Sequence, residues 1–345
     1  MERSLSRRPR VAVIGAGVIG LPIAVMLTQN RFKPHVTLLA AEFSPNITSD
    51  RAGAMMRLPE HVASIADPRV NGWFKETYQY FTQLYASSMA AKLDLSLVTH
   101  YSIYSERVQD PCQKDLMFGF REIGTEEKKI LNISQENYAI CYSTFTLPVS
   151  PYLMWQMEQF KANGGTVIQR KLNSLKEIDG EYDVVVNCTG LSSKELVGDK
   201  ELYPVRGQAM LLKAPWVKHL IISGTEGHYT YIIPRKDGAL IGGTLQVDNW
   251  STEVDSSDHA GISERCFKYV PSLVHAEVLD EWVGLRPARK QVRLEIEDLS
   301  SNTAIVHNYG HGGKGLAFSI GCAKESVMLT EKYLGEKGFY MKSMI

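Results

Sequence analysis

The chain has 345 residues, of which 44% are hydrophobic, and its 38 basic and 38 acidic side chains leave no net charge. This length can bury a substantial core, so we expect two domains or one large α/β unit. Balanced charge argues against nucleic acid or anionic lipid as a partner, and no apolar run approaches the roughly 20 residues that span a bilayer. Five scattered cysteines without a CxxC pair indicate a reducing compartment and argue against a disulfide framework or a cysteine-rich zinc site. We expect no metal site.

The first motif is RVAVIGAGVIGLPIAVML, which predicts a buried strand over 11–14, a glycine turn and an apolar helix. Gly15, Gly17 and Gly20 form G-x-G-x-x-G in the strand–turn–helix context that dinucleotide binding requires. Gly15 permits the tight turn, Gly17 lets a pyrophosphate approach the backbone, and Gly20 lets helix and strand pack closely. The helix N-terminus adds N–H donors, so the motif predicts a Rossmann-like nucleotide-binding layer.

A second strand, predicted over 35–39, should end near an acid that binds the ribose of the nucleotide. The sequence continues as LLAAEF, so Glu42 is the candidate, although it lies slightly late. A solvated surface glutamate is the alternative interpretation.

The middle of the chain changes in character. A helix that begins at Ser150 and Pro151 leads to a strand over 166–170, and EYDVVVNCTG is a further buried strand of parallel type. Residues 200–250 alternate between polar and apolar, which indicates a mixed or antiparallel sheet. Helical patterns cover 68–92 and 256–270. We therefore expect a nucleotide-binding layer that is interrupted by a β-rich second domain.

The C-terminal segment IVHNYGHGGKGLAFSIGCAKESVMLTEKYL predicts a strand over 304–307, a glycine-dense turn and a helix from Leu316. This is a second cluster of backbone N–H groups at a helix N-terminus. Two such turns in one chain favour a long cofactor bound at both ends, and FAD fits better than NAD. His307 and His311 flank the turn and are interpreted as structural hydrogen-bonding groups, with contact to FAD as the alternative.

Before this turn, VGLRPARKQVRLE places Arg286, Arg289, Lys290 and Arg293 within eight positions. Such a basic run is often a solvated face. The alternative is that one guanidinium points inward and binds an anion.

Several segments together resemble the D-amino-acid oxidase and D-aspartate oxidase family. They are VAVIGAGVIGL, FSPNITSDRAG, APWVKHLI, YIIP followed by IGGTLQVDNW, GLRPARKQVRLE and HNYGHGGKGL. The resemblance runs in order from about residue 10 to residue 333. It implies an α/β fold with a Rossmann-like FAD-binding domain (10–57, 148–198 and 286–335) and a β-rich, mixed-sheet substrate domain (58–147 and 199–285).

The resemblance also implies a reaction and its residues. Arg286 would bind the substrate α-carboxylate as a two-pronged partner, Tyr231 would donate its hydroxyl to the same carboxylate, and Gly313 joins them as a catalytic position. Family members transfer a hydride from the substrate Cα to FAD, oxygen is reduced to hydrogen peroxide, and the imino acid hydrolyses to a 2-oxo acid and ammonia. Arg289, Lys290 and Arg293 would be surface charges or internal pairings.

The expected cofactor contacts, from the glycine motif and from the resemblance together, lie in six segments of the chain. They are Gly15, Ala16, Gly17, Val18, Ile19, Gly20, Glu42, Thr48, Ser49, Gly53, Leu172, Thr189, Gly190, Gly312, Gly313, Lys314, Gly315, Leu316 and Ala317. The sequence also departs from the family. Ala41 replaces the usual acid, Ala317 stands where threonine is common, and Met55, Met56 and Arg57 replace an aromatic/glutamine pair.

The side chain of the substrate is predicted from what the pocket lacks. D-Aspartate oxidases that resemble this chain have extra basic residues at two places, before the YIIP-like strand and in the GGT-x-Q turn. In this chain the first segment contains no lysine or arginine, and the turn has Leu245 at the variable position. Burying an unpaired second carboxylate would cost several kcal/mol, so we expect a neutral D-amino acid. Arg57 and His228 could instead pair with an acidic side chain, and Tyr229 could cover the site. A catalytically silent flavin-binding protein is the remaining alternative.

The chain ends in Ser-Met-Ile, which resembles the peroxisomal tripeptide without its basic middle residue. We therefore expect a peroxisomal location, with a cytoplasmic one as the alternative. The expected partners are a D-amino acid and oxygen, with neither nucleic acid nor membrane. The oligomeric state stays open, and a homodimer is one option.

Overall fold

The computed structural model of the protein describes residues 7–57, 67–111, 114–224 and 229–339. Within these ranges fourteen strands join in one mixed sheet. In chain order the strands are β1 (Arg10–Ile14), β2 (His35–Ala40), β3 (Ser96–Tyr104), β4 (Phe118–Glu122), β5 (Tyr138–Thr146), β6 (Thr166–Gln169), β7 (Val184–Asn187), β8 (Tyr203–Leu212), β9 (Leu220–Ser223), β10 (Thr230–Arg235), β11 (Gly238–Gly242), β12 (Gln246–Val247), β13 (Val278–Asp298) and β14 (Ala304–His311). The α-helices are α1 (Gly20–Thr28), α2 (Val70–Tyr85), α3 (Met89–Leu93), α4 (Thr125–Ile130), α5 (Val149–Ala162), α6 (Ser193–Leu196), α7 (Ser256–Tyr269) and α8 (Gly315–Glu336).

One end of the sheet is parallel, in the order β14-β7-β1-β2-β6. Its inner strands are apolar on both faces because both faces are covered. Successive side chains of β1 alternate between the faces. Val11 and Val13 pack in a cluster with residues of α1, α5 and α8, whereas Ala12 and Ile14 pack in a second cluster with the loops after β6. The strands predicted over 11–14, 35–39 and 166–170 are confirmed within one residue at each end.

The other end of the sheet has the order β4-β5-β3-β9-β10-β11-β8-β13 and is antiparallel except for the pair β3–β9. The mixed or antiparallel sheet predicted over 200–250 is confirmed. Helix α7 covers one face of this end, where Ile262 and Cys266 pack with Ile232 and Ile241. Among the described residues no helix has the combination of length and apolarity that crossing a membrane requires.

A single long strand, β13, joins the two ends. Its first part pairs with β8 and its last part pairs with β14, with a register shift between Ala288 and Arg293. The predicted boundary between residues 285 and 286 lies within this strand. The division into two domains stays a prediction, and the sheet itself is continuous across it.

Two predicted elements have other limits in the structure. The strand predicted over 304–307 continues to His311, because Asn308 and Tyr309 also pair with β13. The helical pattern over 68–92 forms two helices, α2 and α3, rather than one. The break falls at Ser87, whose hydroxyl accepts the Met89 N–H at 3.2 Å, and serine competes with the helix backbone for such bonds.

Candidate active site

Loops that follow the parallel strands meet at the carboxyl edge of the sheet, where open α/β sheets bind ligands. They carry most of the predicted cofactor residues. These are Gly15–Gly20 after β1, Glu42 after β2, Leu172 after β6, Thr189 and Gly190 after β7, and Gly312–Ala317 after β14. The fold therefore brings together segments from both ends of the chain.

The turn after β1 has no room for side chains at its glycines. Gly15 has a φ of 104°, and a Cβ on Gly20 would lie 1.9 Å from the Gly15 carbonyl oxygen. Gly17 faces Ser49, whose Oγ accepts a backbone N–H of the turn at 3.2 Å. The N–H groups of Ala16 and Gly17 have no hydrogen-bond partner among the described residues. Two unpartnered amides at the N-terminus of α1 suit a pyrophosphate.

The turn after β14 lies against the turn after β1. A Cβ on Gly315 would lie 3.4 Å from a methyl group of Val18. His311, at the start of the later turn, is buried, and in the described part of the chain its Nε2 has no hydrogen-bond partner. Burial lowers the pKa of His311 to about 3, so the imidazole is neutral. A buried polar atom without a partner, beside two adjoining turns, fits one cofactor that reaches both.

His307 belongs instead to a hydrogen-bonded chain behind the cofactor edge. Its Nδ1 lies 3.3 Å from the Asn187 amide nitrogen, and its Nε2 lies 2.9 Å from a Glu297 carboxylate oxygen. The Asn187 amide oxygen accepts the Thr189 hydroxyl at 2.8 Å and the Thr189 N–H at 3.2 Å. Burial lowers the pKa of His307, which leaves Nδ1 able to accept from Asn187. His307 thus positions the predicted cofactor residue Thr189.

The predicted cofactor residue Gly53 lies in an extended segment beside β5. The Met56 N–H donates to the Phe145 carbonyl at 2.9 Å, and the Arg235 guanidinium donates to the Gly53 carbonyl at 2.7 Å. Arg235 is partly buried, and this burial lowers its pKa to about 10. This arginine therefore holds the segment against the sheet.

Three other predicted cofactor residues have no distinctive contact. Glu42 and Thr48 are exposed, and Leu172 is buried in the apolar cluster below the edge. Their contribution to cofactor binding stays a prediction.

The predicted carboxylate-binding residues share one face of the antiparallel end. Tyr231 lies on β10 and Arg286 on β13, and β11 and β8 lie between them. On this face the two intervening strands have Gly242 and Gly207. A Cβ on Gly242 would lie 2.3 Å from the Tyr231 ring, and a Cβ on Gly207 would lie 2.2 Å from an Arg286 nitrogen. The two side chains therefore lean towards each other over the glycines.

The Arg286 guanidinium contacts backbone rather than a carboxylate. Its Nη1 donates to the Thr244 carbonyl at 3.0 Å and to the Val205 carbonyl at 3.4 Å. Among the described residues no carboxylate lies within ion-pair distance of it. A Cβ on Gly313 would lie 3.3 Å from the Arg286 Cδ, so the arginine adjoins the turn after β14.

The other arginines of this segment have acidic partners. Arg289 pairs with Asp199 at 3.0 Å, and Arg293 pairs with Glu295 at 2.7 Å. Of the arginines in this segment, Arg286 is therefore the one that the structure places next to the cofactor edge with its charge unpaired.

Tyr231 is buried and carries a protonated hydroxyl. Burial raises the pKa of Tyr231, and the nearby charge of Arg286 opposes that rise. Among the described residues its hydroxyl has no hydrogen-bond partner. The Tyr229 ring packs against it with 5.5 Å between the ring centroids, and Ile222 and Met55 belong to the same apolar cluster. The phenol is thus free to donate to a ligand.

The remaining predicted pocket residues are His228, Leu245 and Arg57. His228 lies outside the described residues. Leu245 is 53% exposed and lies outside the apolar cluster around Tyr231, and its place in the substrate pocket stays a prediction. Arg57 is half-buried. His100, which sequence reasoning missed, is fully buried, and burial together with the charges of Arg57 and Lys314 holds its pKa well below the usual range.

Sequence reasoning also missed Gly207, Gly242 and Thr244. A signal was present, because a glycine within a strand pattern often marks the close approach of another group. Gly207 in YPVRGQAMLL and Gly242 in ALIGG both fit that rule. What they approach depends on which strands pair, and the local pattern does not contain that information.

Comparisons with known proteins identify the family and the fold. A family model described as "DAO: FAD dependent oxidoreductase" matches residues 10–329. Human D-aspartate oxidase is 34% identical over 328 residues, which are 94% of this chain and 95% of that protein. D-Amino-acid oxidase of Streptomyces coelicolor is 34% identical over 337 residues, 96% of this chain and all of that protein (100%). The crystal structure of glycine oxidase from Bacillus cereus has a TM-score of 0.74 at 18% identity, covering 94% and 98% of the two chains, which shows the shared fold.

Proposed function

The chain belongs to the DAO family of FAD-dependent oxidoreductases, and from that membership we propose how its own residues support the oxidative deamination of D-amino acids. FAD, when bound, supplies the two-electron acceptor, and the protein contributes binding and orientation. The pyrophosphate is assigned to the free amides of Ala16 and Gly17, and the isoalloxazine end to the turn from Gly312 to Ala317. The expected products are a 2-oxo acid, ammonia and hydrogen peroxide.

Arg286 and Tyr231 are assigned to the substrate α-carboxylate. The observation that carries this assignment is the unpaired charge of Arg286 beside Gly313, with the Tyr231 hydroxyl on the same sheet face. A guanidinium offers a carboxylate two parallel N–H donors, and a buried phenol adds a third. This arrangement fixes the position of the substrate Cα relative to the cofactor edge. Such positioning is the main contribution of the protein to catalysis in a flavin oxidase.

Anaerobic mixing with D-alanine tests this function directly. The purified protein should be yellow, and its flavin absorbance should bleach after the addition. A yellow protein that D-amino acids leave unbleached would instead be a flavin-binding protein without oxidase activity.

We infer further that the preferred substrate has a neutral side chain. The support is the apolar cluster around Tyr231, which includes Ile222, Ile233 and Leu240. A second carboxylate buried against these side chains would lack a partner and would cost several kcal/mol. D-Alanine, D-methionine and D-proline are the expected substrates.

An acidic D-amino acid is the second candidate, and one observation favours it. The charges of Arg57 and Lys314 both lower the pKa of His100, so two cationic groups lie near this buried histidine. Arg57 is also two residues from Met55, which packs against the apolar cluster around Tyr231. The deciding comparison is kcat/KM for D-alanine and for D-aspartate, in the wild type and in Arg57→Ala. A tenfold or larger preference for D-aspartate that Arg57→Ala abolishes would reject the neutral substrate; a preference for D-alanine in both proteins would support it.

A further inference from the structure

We propose that Gly207 and Thr244 are positioning residues for Arg286. Together they form a seat, defined by the Gly207 Cα and the Thr244 carbonyl, which holds the guanidinium in the orientation that binds the substrate carboxylate. This proposal rests on the carboxylate-binding role proposed for Arg286 above. It assigns a function to Gly207, whose backbone conformation does not itself require glycine.

The ladder between β8 and β13 explains why the guanidinium reaches Gly207. Arg286 is paired with Val205, so Gly207 is its diagonal neighbour on the same sheet face. A long side chain spans that diagonal. A Cβ at Gly207 would lie 2.2 Å from Nη1, 2.3 Å from Nη2 and 2.5 Å from Cζ of Arg286. Because Nη1 and Nη2 are both nearer than Cζ, the Nη1–Nη2 end of the guanidinium points at the position that a side chain would fill.

Thr244 fixes the orientation of this end of the guanidinium. Its carbonyl accepts from Nη1 at 3.0 Å, and its hydroxyl accepts the Gln208 N–H at 3.0 Å. Behind the strand, buried Arg206 donates to Gln246 at 2.8 Å and pairs with Asp258 at 2.6 Å. These contacts brace the segment that carries Thr244 from the opposite face of the sheet.

The seat leaves one edge of the guanidinium for the substrate. Nη1 is used by the carbonyls of Thr244 and Val205. In the described part of the chain, Nε and Nη2 of Arg286 have no hydrogen-bond partner. These two nitrogens form the edge that binds a carboxylate side-on through two parallel hydrogen bonds. The seat thus selects which edge faces the substrate.

Gly207→Ala tests the seat, and Gly284→Ala is its matched control. Gly284 is paired with Gly207 on the same rung, but a Cβ there would lie 3.4 Å from the Arg51 Cβ, which is ordinary contact. Alanine at 207 forces the guanidinium to move by about 1 Å, and such a displacement can cost up to about a hundredfold in rate. We expect kcat/KM for D-alanine to fall by about tenfold or more in Gly207→Ala and to change less than about twofold in Gly284→Ala.

Binding of benzoate, a carboxylate without an amine, separates positioning from general damage. Its dissociation constant in the holoenzyme should rise by about tenfold in Gly207→Ala, while FAD content and melting temperature match those of Gly284→Ala. Unchanged benzoate binding and unchanged kcat/KM in a folded Gly207→Ala holoenzyme would overturn the proposal. Arg286→Leu, measured alongside, shows separately whether Arg286 binds the carboxylate at all.

A second variant keeps the test decisive if Gly207→Ala yields no folded holoenzyme. Thr244→Val has nearly the same shape but cannot accept the Gln208 N–H. We expect it to raise KM and the benzoate dissociation constant by about threefold to tenfold, the effect of one hydrogen bond, with kcat within about twofold. If KM and benzoate binding stay at wild-type values, the seat does not position Arg286.

Discussion

Replacing His311 with phenylalanine should remove part of the acid sensitivity of the fold. The imidazole of His311 is buried, and burial lowers its pKa from 6.5 to about 3. In the unfolded chain it has its ordinary pKa, so between these two values the unfolded state binds a proton that the native state does not. Its contribution therefore makes the free energy of unfolding fall as the pH drops from about 6.5 towards 3.

The size of this loss of stability follows from the pH interval between the native and the unfolded pKa of His311. At pH 5 the solution is about 1.5 units below the unfolded pKa and well above the native one, so His311 costs the native state about 2 kcal/mol relative to pH 7.5. Urea unfolding of the wild type and of His311→Phe at these two pH values measures it. The loss of stability on going to pH 5 should be smaller by about 2 kcal/mol in the variant.

The comparison uses only the change with pH, so a constant effect of the phenylalanine cancels. His275→Ala, a substitution of an exposed histidine, is the control for removing a histidine as such. Equal pH dependence in the wild type and His311→Phe would show that His311 is not buried as a neutral imidazole. The unpartnered Nε2 of His311 would then no longer support a cofactor between the two turns.

Two further variants test the site and its support. Tyr231→Phe should raise KM for D-alanine about fivefold, the effect of one hydrogen bond, with kcat nearly unchanged; an unchanged KM, with Tyr229→Phe impaired instead, would assign the carboxylate to the other tyrosine. Asp258→Ala leaves Arg206, which is 2% exposed, without its carboxylate, and urea unfolding should show a loss of about 3–5 kcal/mol. A loss below about 1 kcal/mol would mean that the pair is effectively solvated.

The parallel end of the sheet was predictable because its signals are local. The glycine spacing in VIGAGVIG defines a strand, a turn and a helix within one short segment, and the turn has the tight packing that was expected. Arg286 could be singled out because the segment GLRPARKQVRLE resembles a family motif. Composition alone could not separate it from Arg289 and Arg293, whose acidic partners include Asp199, far away in the sequence.

The remainder of the site depends on contacts between distant strands. Gly207 lies under the Arg286 guanidinium because β8 pairs with β13 in one particular register, and no local pattern specifies that register. The length of β13 has the same origin, since its two parts pair with different strands. The exposure of Leu245, whose place in the pocket stays a prediction, likewise depends on how the turn after β11 leaves the sheet.

The most direct test of the central claim is the rate of flavin reduction by D-alanine, followed anaerobically in the wild type and in Arg286→Leu. Both proteins should purify with FAD, because Arg286 is not assigned to the cofactor. We expect the wild-type flavin to bleach with D-alanine, and the second-order rate constant to fall in Arg286→Leu by at least about tenfold, the value of a charge-assisted hydrogen bond of about 1.5–3 kcal/mol. Equal rates in the two proteins would contradict the carboxylate-binding role of Arg286, and a wild-type flavin that stays oxidised with D-amino acids would contradict the oxidase function itself.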